Sequence, residues 1–219
     1  MVARNPPIRE QVAHLVREAI IHLEFRPGEL LLERELCAWT GASRPTVREA
    51  LRLLESEGLV EPRAGRGSVV RLVGEAEITH LYEVRSELEG FAAALAAARA
   101  DDDARGRLRG ALDDLGTALV DSQVADIVAA QHRFFDQLFA GAGNHVLRQV
   151  AQALQGRVAQ FRALTLTIAD RGPASLRELG EVVASIEARD AAGAREAAQL
   201  HVGNARAAMR TVARSLAHP

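Results

Sequence analysis

The sequence predicts a mostly α fold in two parts: three short helices and a β-hairpin over residues 1–74, then an all-α bundle of six helices over residues 75–219. Three observations predict it. Apolar residues recur at helical spacing through most of the chain. Two short Val-containing stretches outside that pattern, 59–63 and 68–72, flank a Gly-rich turn at 64–67 and read as paired strands. Beyond residue 75, every break in the helical pattern carries turn or capping residues, and no strand pattern intervenes.

In the first part, Ile8, Val12, Leu15, Val16, Ala19, Ile20 and Leu23 form the apolar stripe of a first helix, which Pro27 and Gly28 stop. A second helix spans 33–39 with Leu32 and Leu36 inward, and a tight connection around Gly41 follows. Ser43 is placed to cap a third helix, and Pro45 suits its first turn, where a missing N–H costs nothing. Val47, Ala50, Leu51 and Leu54 form the stripe of that helix until Gly58 ends it. Cys37 reads as a small buried residue of the second helix. As the one cysteine of the chain, it excludes an intrachain disulfide and any multi-cysteine metal cage.

In the second part the helices are expected at about 76–99, 102–120, 123–141, 144–169, 174–189 and 192–216. The breaks at 101–103, 121–122, 141–144, 171–173 and 190–193 are short, so neighbouring helices run antiparallel as a bundle.

With 48% apolar and 26% charged residues, the chain has globular composition, and it has no apolar run near the ~20 residues of a membrane span. No apolar stretch of signal-peptide length opens the chain, so a cytoplasmic protein is expected. The formal net charge of -2 argues weakly against a nucleic-acid partner, but the charge is unevenly spread: residues 1–74 carry 11 Arg against 10 Glu. All 27 basic residues are Arg, so clustered positive charge can make planar, bidentate contacts.

A short helix, a Gly-containing turn and a second helix form a helix-turn-helix pattern, and the helix starting at Arg44 is the one that would enter a DNA major groove. Arg44, Arg48 and Arg52 recur every four residues and share one side of it. Arg in the N-terminal half of such a helix reaches guanine O6 and N7, and Ser43 and Thr46 add hydroxyls beside them. The competing reading is a solvated Arg face paired to Glu49 and Glu55, which fits Arg52 best. The hairpin adds Arg63, Arg66 and Arg71, with Gly65 and Gly67 permitting close approach to a phosphate.

The segments "RPGE", "ERELC", "SRPTVREALRLLESEGLV" and "GRGSVV" stand in the order and spacing of the GntR family of winged-helix transcription regulators, which the chain strongly resembles from Val16 to Val70. Position by position, the resemblance implies DNA contacts from Arg34, Ser43, Arg44, Thr46, Arg48, Gly65 and Arg66. Trp39 and Thr40 depart from the usual pattern without removing a DNA contact.

The later segments "LYEVRSELEGFAAALAAARA", "FFDQLFAGAGNHVL" and "ARDAAGAREAAQLHVGNAR" resemble the FCD effector domain of the FadR branch, and six helices match its VanR type. Such domains form dimers, and many hold a metal ion that receives a carboxylate effector. The ligand pattern is mostly broken here: Gln131, Phe135 and Leu179 occupy three of its positions, and only His201 remains. Too few donors are left for a divalent cation, so no metal and no cofactor are expected. His132 and Asp136 have i, i+4 spacing but face away from the bundle centre.

Periodicity independently turns three polar side chains inward. Arg85 lies on the stripe Ile78, Leu81, Leu88, Ala92, Leu95; Gln131 lies with Ile127, Phe135 and Leu138; His201 lies with Ala194, Ala198, Ala205, Ala208 and Val212. A buried Arg needs an anion. Either Arg85 pairs with an internal carboxylate and His201 is a satisfied core histidine, or Arg85, Gln131 and His201 hold an effector. In the second case Phe135 and Leu179 would add apolar walls suited to an organic anion with an aliphatic or aromatic body.

The combined expectation is a homodimeric, non-enzymatic transcription repressor that binds a pseudo-palindromic double-stranded DNA operator and responds to a small organic acid. Neither a Ser, His, Asp nor a Cys, His catalytic arrangement is visible. The rival reading gives the bundle only dimerisation or partner binding.

Overall fold

A computed structural model describes residues 6–63, 67–72, 74–121 and 123–217. The chain divides into two compact units: residues up to 72 together with 156–160, and the remainder.

The first unit contains α1 (Ile8–Ile21), β1 (Leu30–Leu31), α2 (Glu33–Thr40), α3 (Arg44–Ser56), β2 (Val60–Arg63) and β3 (Gly67–Val70). Helix α1 packs across α3. Val12, Val16, Ile20, Leu36, Val47, Leu51 and Leu54 bury together with Leu59, just before β2, and with Val60 and Val70 of the sheet. Each such side chain contributes roughly 1.5–3 kcal/mol by leaving water. The buried face of α1 runs through Val12, Ala13, Val16, Ala19 and Ile20, so Ile8 and Leu15, expected on the stripe, are exposed. Leu23 lies beyond the helix, in the left-handed region at φ 60.

Among the described residues the sheet has three strands in the order β1-β3-β2, all antiparallel. The expected hairpin is β2 and β3, and Pro62 is tolerated because β2 is an edge strand. Strand β1 had no sequence signal, being too short to alternate. It approaches β3 so closely that a Cβ on Gly67 would lie 2.4 Å from the Leu31 carbonyl oxygen, and Gly67 also has φ +94. Only glycine fits there. Cys37 and Leu32 are half-buried rather than inward.

The second unit contains α4 (Glu75–Arg99), α5 (Asp102–Asp121), α6 (Val124–Gly141), α7 (His145–Thr165) apart from residues 156–160, α8 (Arg171–Glu187) and α9 (Ala191–Ala217). Helix α4 packs most extensively on α9, and α5 packs on α6 and α8. Ala92, Ala93, Ala96 and Ala97 of α4 meet Phe134, Leu138, Leu179, Val183 and Ile186 in one apolar core. Two boundaries differ from the sequence reading. Helix α7 stops at Thr165 rather than 169, where the Thr165 and Thr167 hydroxyls donate to the Arg162 and Leu164 carbonyls (3.0 and 2.7 Å) and Asp170 turns left-handed. Helix α8 starts at Arg171, so Pro173 sits inside its first turn, where no intrahelical N–H is needed. That places Arg171 on a helix instead of in a loop. No helix among the described residues is long and apolar enough to cross a membrane.

Candidate DNA-binding surface and effector pocket

Helix α3 is fixed by its buried stripe and by its cap. Ser43 Oγ accepts from the Thr46 backbone N–H at 3.4 Å and lies 2.9 Å from Thr46 Oγ1. The two hydroxyls singled out for DNA therefore first serve each other and the helix start. With Val47, Ala50, Leu51 and Leu54 packed inward, Arg44, Arg48 and Arg52 are exposed. Arg34 of α2 and Arg63 of β2 line the same open cleft, so two helices and the sheet edge converge on one arginine-rich surface. Gly65 and Arg66, the expected wing contacts, lie outside the described residues.

The cleft also contains carboxylates. Arg48 Nε donates to Glu33 Oε1 at 2.7 Å, and Arg52 Nη1 donates to Glu49 Oε1 at 2.9 Å. The Arg52 pair is the one helix spacing anticipates, whereas the Arg48 pair crosses from α3 to α2. The hydrogen bond from Arg48 lowers the Glu33 pKa, and the same bond raises that of Arg48. The contact uses one of five guanidinium N–H donors.

In the helical unit, Arg85, Gln131 and His201 do converge on one small cavity, lined also by Tyr82, Arg162 and Arg171. Arg85 is 2% exposed, and its Nε donates to Glu89 Oε1 at 2.9 Å. The internal-carboxylate reading of Arg85 is therefore correct as far as Nε goes. Its Nη1, however, has no hydrogen-bond partner, nor do Glu89 Oε2 and Gln131 Oε1. Gln131 Nε2 reaches Ser175 Oγ only at 3.4 Å.

His201 Nδ1 lies 2.7 Å from Glu178 Oε2. Glu178 also accepts both Arg171 terminal nitrogens at 2.9 Å and the Asn204 amide at 2.9 Å. Burial opposes the Glu178 charge, but these donors, His201 and Arg171 foremost, hold its pKa at about 2. Burial lowers the His201 pKa despite Glu178, so the imidazole is neutral near neutral pH and donates Nδ1–H to the carboxylate.

Arg162 and Arg171 were missed by the sequence reading. Arg171 falls in an expected break between helices, and Arg162 carries one weak signal, its place beside Phe161 on α7. Its guanidinium carbon lies 3.9 Å from the centre of the Phe135 ring. Burial, and then the charge of Arg85, push its pKa down to about 9. Phe135 and Leu179 do not form the apolar walls expected of them. Phe135 lies against Arg162, and Leu179, 1% exposed, belongs to the apolar core and does not line the cavity.

At the positions where the resemblance would place metal ligands, the residues do not fit a divalent cation. Phe135 faces a guanidinium, Leu179 is in the apolar core, and His201 gives Nδ1 to Glu178. Among the described residues no three His, Cys, Asp or Glu side chains converge in a way that could hold a metal.

A winged helix bearing an arginine-lined cleft, with an all-helical unit after it, defines a class of DNA-binding regulators. Residues 8–70 match the family described as "Bacterial regulatory proteins, gntR family", and residues 80–204 match the FCD domain. The chain belongs to the GntR family and is a transcriptional regulator carrying an FCD domain. It is 30% identical over 217 residues to the HTH-type transcriptional regulator Mce2R of Mycobacterium tuberculosis, covering 88% of this chain and 87% of that one. It is 24% identical to the HTH-type transcriptional repressor RspR of Escherichia coli, over 90% of this chain and 88% of that one. The structure of E. coli McbR/YncC superposes with a TM-score of 0.81 at 20% identity, covering 94% and 99% of the two chains, and shows the same fold.

Proposed function

We propose that the protein is a homodimeric repressor that binds a pseudo-palindromic operator through α3 and releases it when a small organic acid occupies the helical unit. The observation that carries the DNA reading is the convergence of Arg34, Arg44, Arg48 and Arg63 on one exposed cleft. Arg44 and Arg48 stand on the groove-entering turns of α3 and read bases, with Arg34, Ser43, Thr46, Gly65 and Arg66 positioning the backbone. One winged helix per chain calls for a two-fold partner to read two half-sites. Repression is supported by the relative named as a repressor.

The effector reading rests on polar atoms buried without partners around Arg85 and Gln131. Such atoms are costly unless something completes them. The residues close around about 10 Å³, the room one water needs, so an acid enters only as side chains part. A ligand admitted by one conformation and not by the other shifts their populations, as regulation requires. The closed cavity is also what the dimerisation-only reading expects. Footprinting, sizing and a reporter assay test the proposal: a dimer that protects a symmetric site and derepresses with an acid supports it. A monomer, or equal affinity for random duplex at ~0.15 M salt, overturns it.

A further inference from the structure

Helix α3 ends in a fixed closure. Gly58, in the left-handed region at φ 74, donates its N–H to the Glu55 carbonyl at 3.0 Å, and the Leu59 N–H donates to the Leu54 carbonyl at 3.0 Å, which delivers Leu59 into the core. Glu57 is the cap residue of that closure. Its carboxylate stands at the negative end of the helix dipole, where a cation is the favoured charge. Arg17 of α1 offsets this. Its Nε donates to Glu57 Oε2 at 2.8 Å and its Nη2 to Oε1 at 2.6 Å, a fork on both carboxylate oxygens. Both side chains are half-buried, so salt weakens this bridge less than it weakens the exposed Arg48–Glu33 pair.

We propose that Arg17 and Glu57 are positioning residues for operator recognition: their bridge sets the angle at which α3 meets DNA, and neither touches DNA itself. The inference rests on the docking proposed for α3. The apolar stripe of Val47, Ala50, Leu51 and Leu54 holds α3 against its neighbours but is non-directional, so polar contacts must fix the angle. Toward α2 that contact is Arg48–Glu33, and toward β3 it is Ser68 Oγ to Glu55 Oε1, at a loose 3.4 Å. Once DNA takes Arg48, the tie to α2 is given up, and the Arg17–Glu57 fork carries the constraint. Arg44 lies at the opposite end of a helix about 20 Å long, so a small rotation at Glu57 moves the Arg44 and Arg48 guanidinium groups away from base edges. A base edge demands fork geometry, whereas phosphates carry no sequence information and accept a cation from many directions. Loss of the bridge therefore weakens the operator more than random DNA.

The full-length protein is titrated by fluorescence anisotropy at ~0.15 M salt against a duplex that the wild type selects from a randomised pool, and against a random duplex. Arg17→Met removes a positive charge and Glu57→Gln a negative one, so a pure charge effect moves the two variants in opposite directions on both duplexes. Lost positioning moves them together: each should weaken binding of the selected duplex ~5- to 10-fold and shrink its preference over random DNA by about as much. Glu57→Gln also removes a charge that the helix dipole opposes, so its melting temperature should stay close to that of wild type while the preference falls. The reversed pair, Arg17→Glu with Glu57→Arg, rebuilds the bridge with a cation at the cap and should restore the preference. Arg17→Lys keeps the charge but not the fork, should fall between wild type and Arg17→Met, and decides with Glu57→Gln if melting curves show another variant unfolded. Opposite shifts in the single variants, folded single variants with unchanged preference, or a folded reversed pair no better than the single variants overturns the inference and leaves the docking of α3 standing. A wild type that selects no sequence from the pool overturns both.

Discussion

Arg48 of α3 donates from Nε to the Glu33 carboxylate of α2 across 2.7 Å, so the central arginine of the groove-facing row is tied to a carboxylate inside the same cleft. The pair is solvent-exposed, which makes it weak and exchangeable. If α3 docks in the major groove as proposed, DNA can claim Arg48 at small cost, and Glu33 would then face phosphates.

Glu33→Gln should accordingly raise affinity for operator and random duplex alike by a few-fold, through loss of one repelling charge. Arg48→Ala should cost ~1–3 kcal/mol on the operator and much less on random DNA, if the side chain reads a base. Fluorescence anisotropy at fixed salt separates the two. An equal loss on both duplexes from Arg48→Ala would reassign it as a phosphate contact.

Arg189 follows α8 with φ 58, exposed to solvent, while the Asp190 N–H donates to the Ser185 carbonyl at 2.9 Å. This closure of a helix end favours glycine, because an L side chain in the left-handed region costs about 1–2 kcal/mol. Arg189→Gly should stabilise the helical unit by ~0.5–1 kcal/mol after the unfolded-chain entropy of glycine is offset. A melting temperature unchanged or lowered in thermal unfolding would contradict this.

Glu178 makes the stability of the helical unit sensitive to acid. Its folded pKa of about 2 lies below the ordinary 4.5, so the stability it contributes is fully present above about pH 4.5 and is lost as pH falls toward 2. His201 acts in the same direction. Its folded pKa is lowered below 6.5, so the unfolded chain takes up the proton first as pH falls through that value. Glu178→Gln should therefore be less stable than wild type at pH 7, with the difference shrinking toward pH 2. Chemical denaturation across pH reads it, and a gap independent of pH would remove Glu178 from this role.

The extent to which the sequence foretold this structure follows from periodicity. The helices of both units, the Ser43 cap and the β2–β3 hairpin are legible because each repeats or punctuates a pattern. Arg85, Gln131 and His201 were legible as polar breaks in apolar stripes, and Glu89, four residues after Arg85, could have been read as its partner. Strand β1 was not legible, since two residues paired only through tertiary contact carry no period. Arg171 was hidden by Pro173, which reads as a helix breaker unless it falls in the first turn. The wall roles given to Phe135 and Leu179 failed because one guanidinium from α7 covers the first, and the second packs into the core.

Ser43 is a position where the capping role and the proposed DNA role can be separated. Its hydroxyl caps α3, and the loss of such a cap costs ~1 kcal/mol, so Ser43→Ala should lower the melting temperature of the protein and weaken DNA binding only modestly. Ser43→Asp keeps a good capping oxygen and places a carboxylate where the helix dipole favours it, so the melting temperature should equal or exceed that of wild type. The same carboxylate stands at the start of the helix that would enter the groove, beside exposed Arg44, and meets the phosphate backbone with like charge. Operator affinity should fall at least ~10-fold in Ser43→Asp while stability is preserved. Both are read on one preparation, by thermal unfolding and by anisotropy. Should Ser43→Asp bind the operator as wild type does, the N-terminus of α3 does not approach the DNA backbone, and the docking orientation proposed for α3 is wrong.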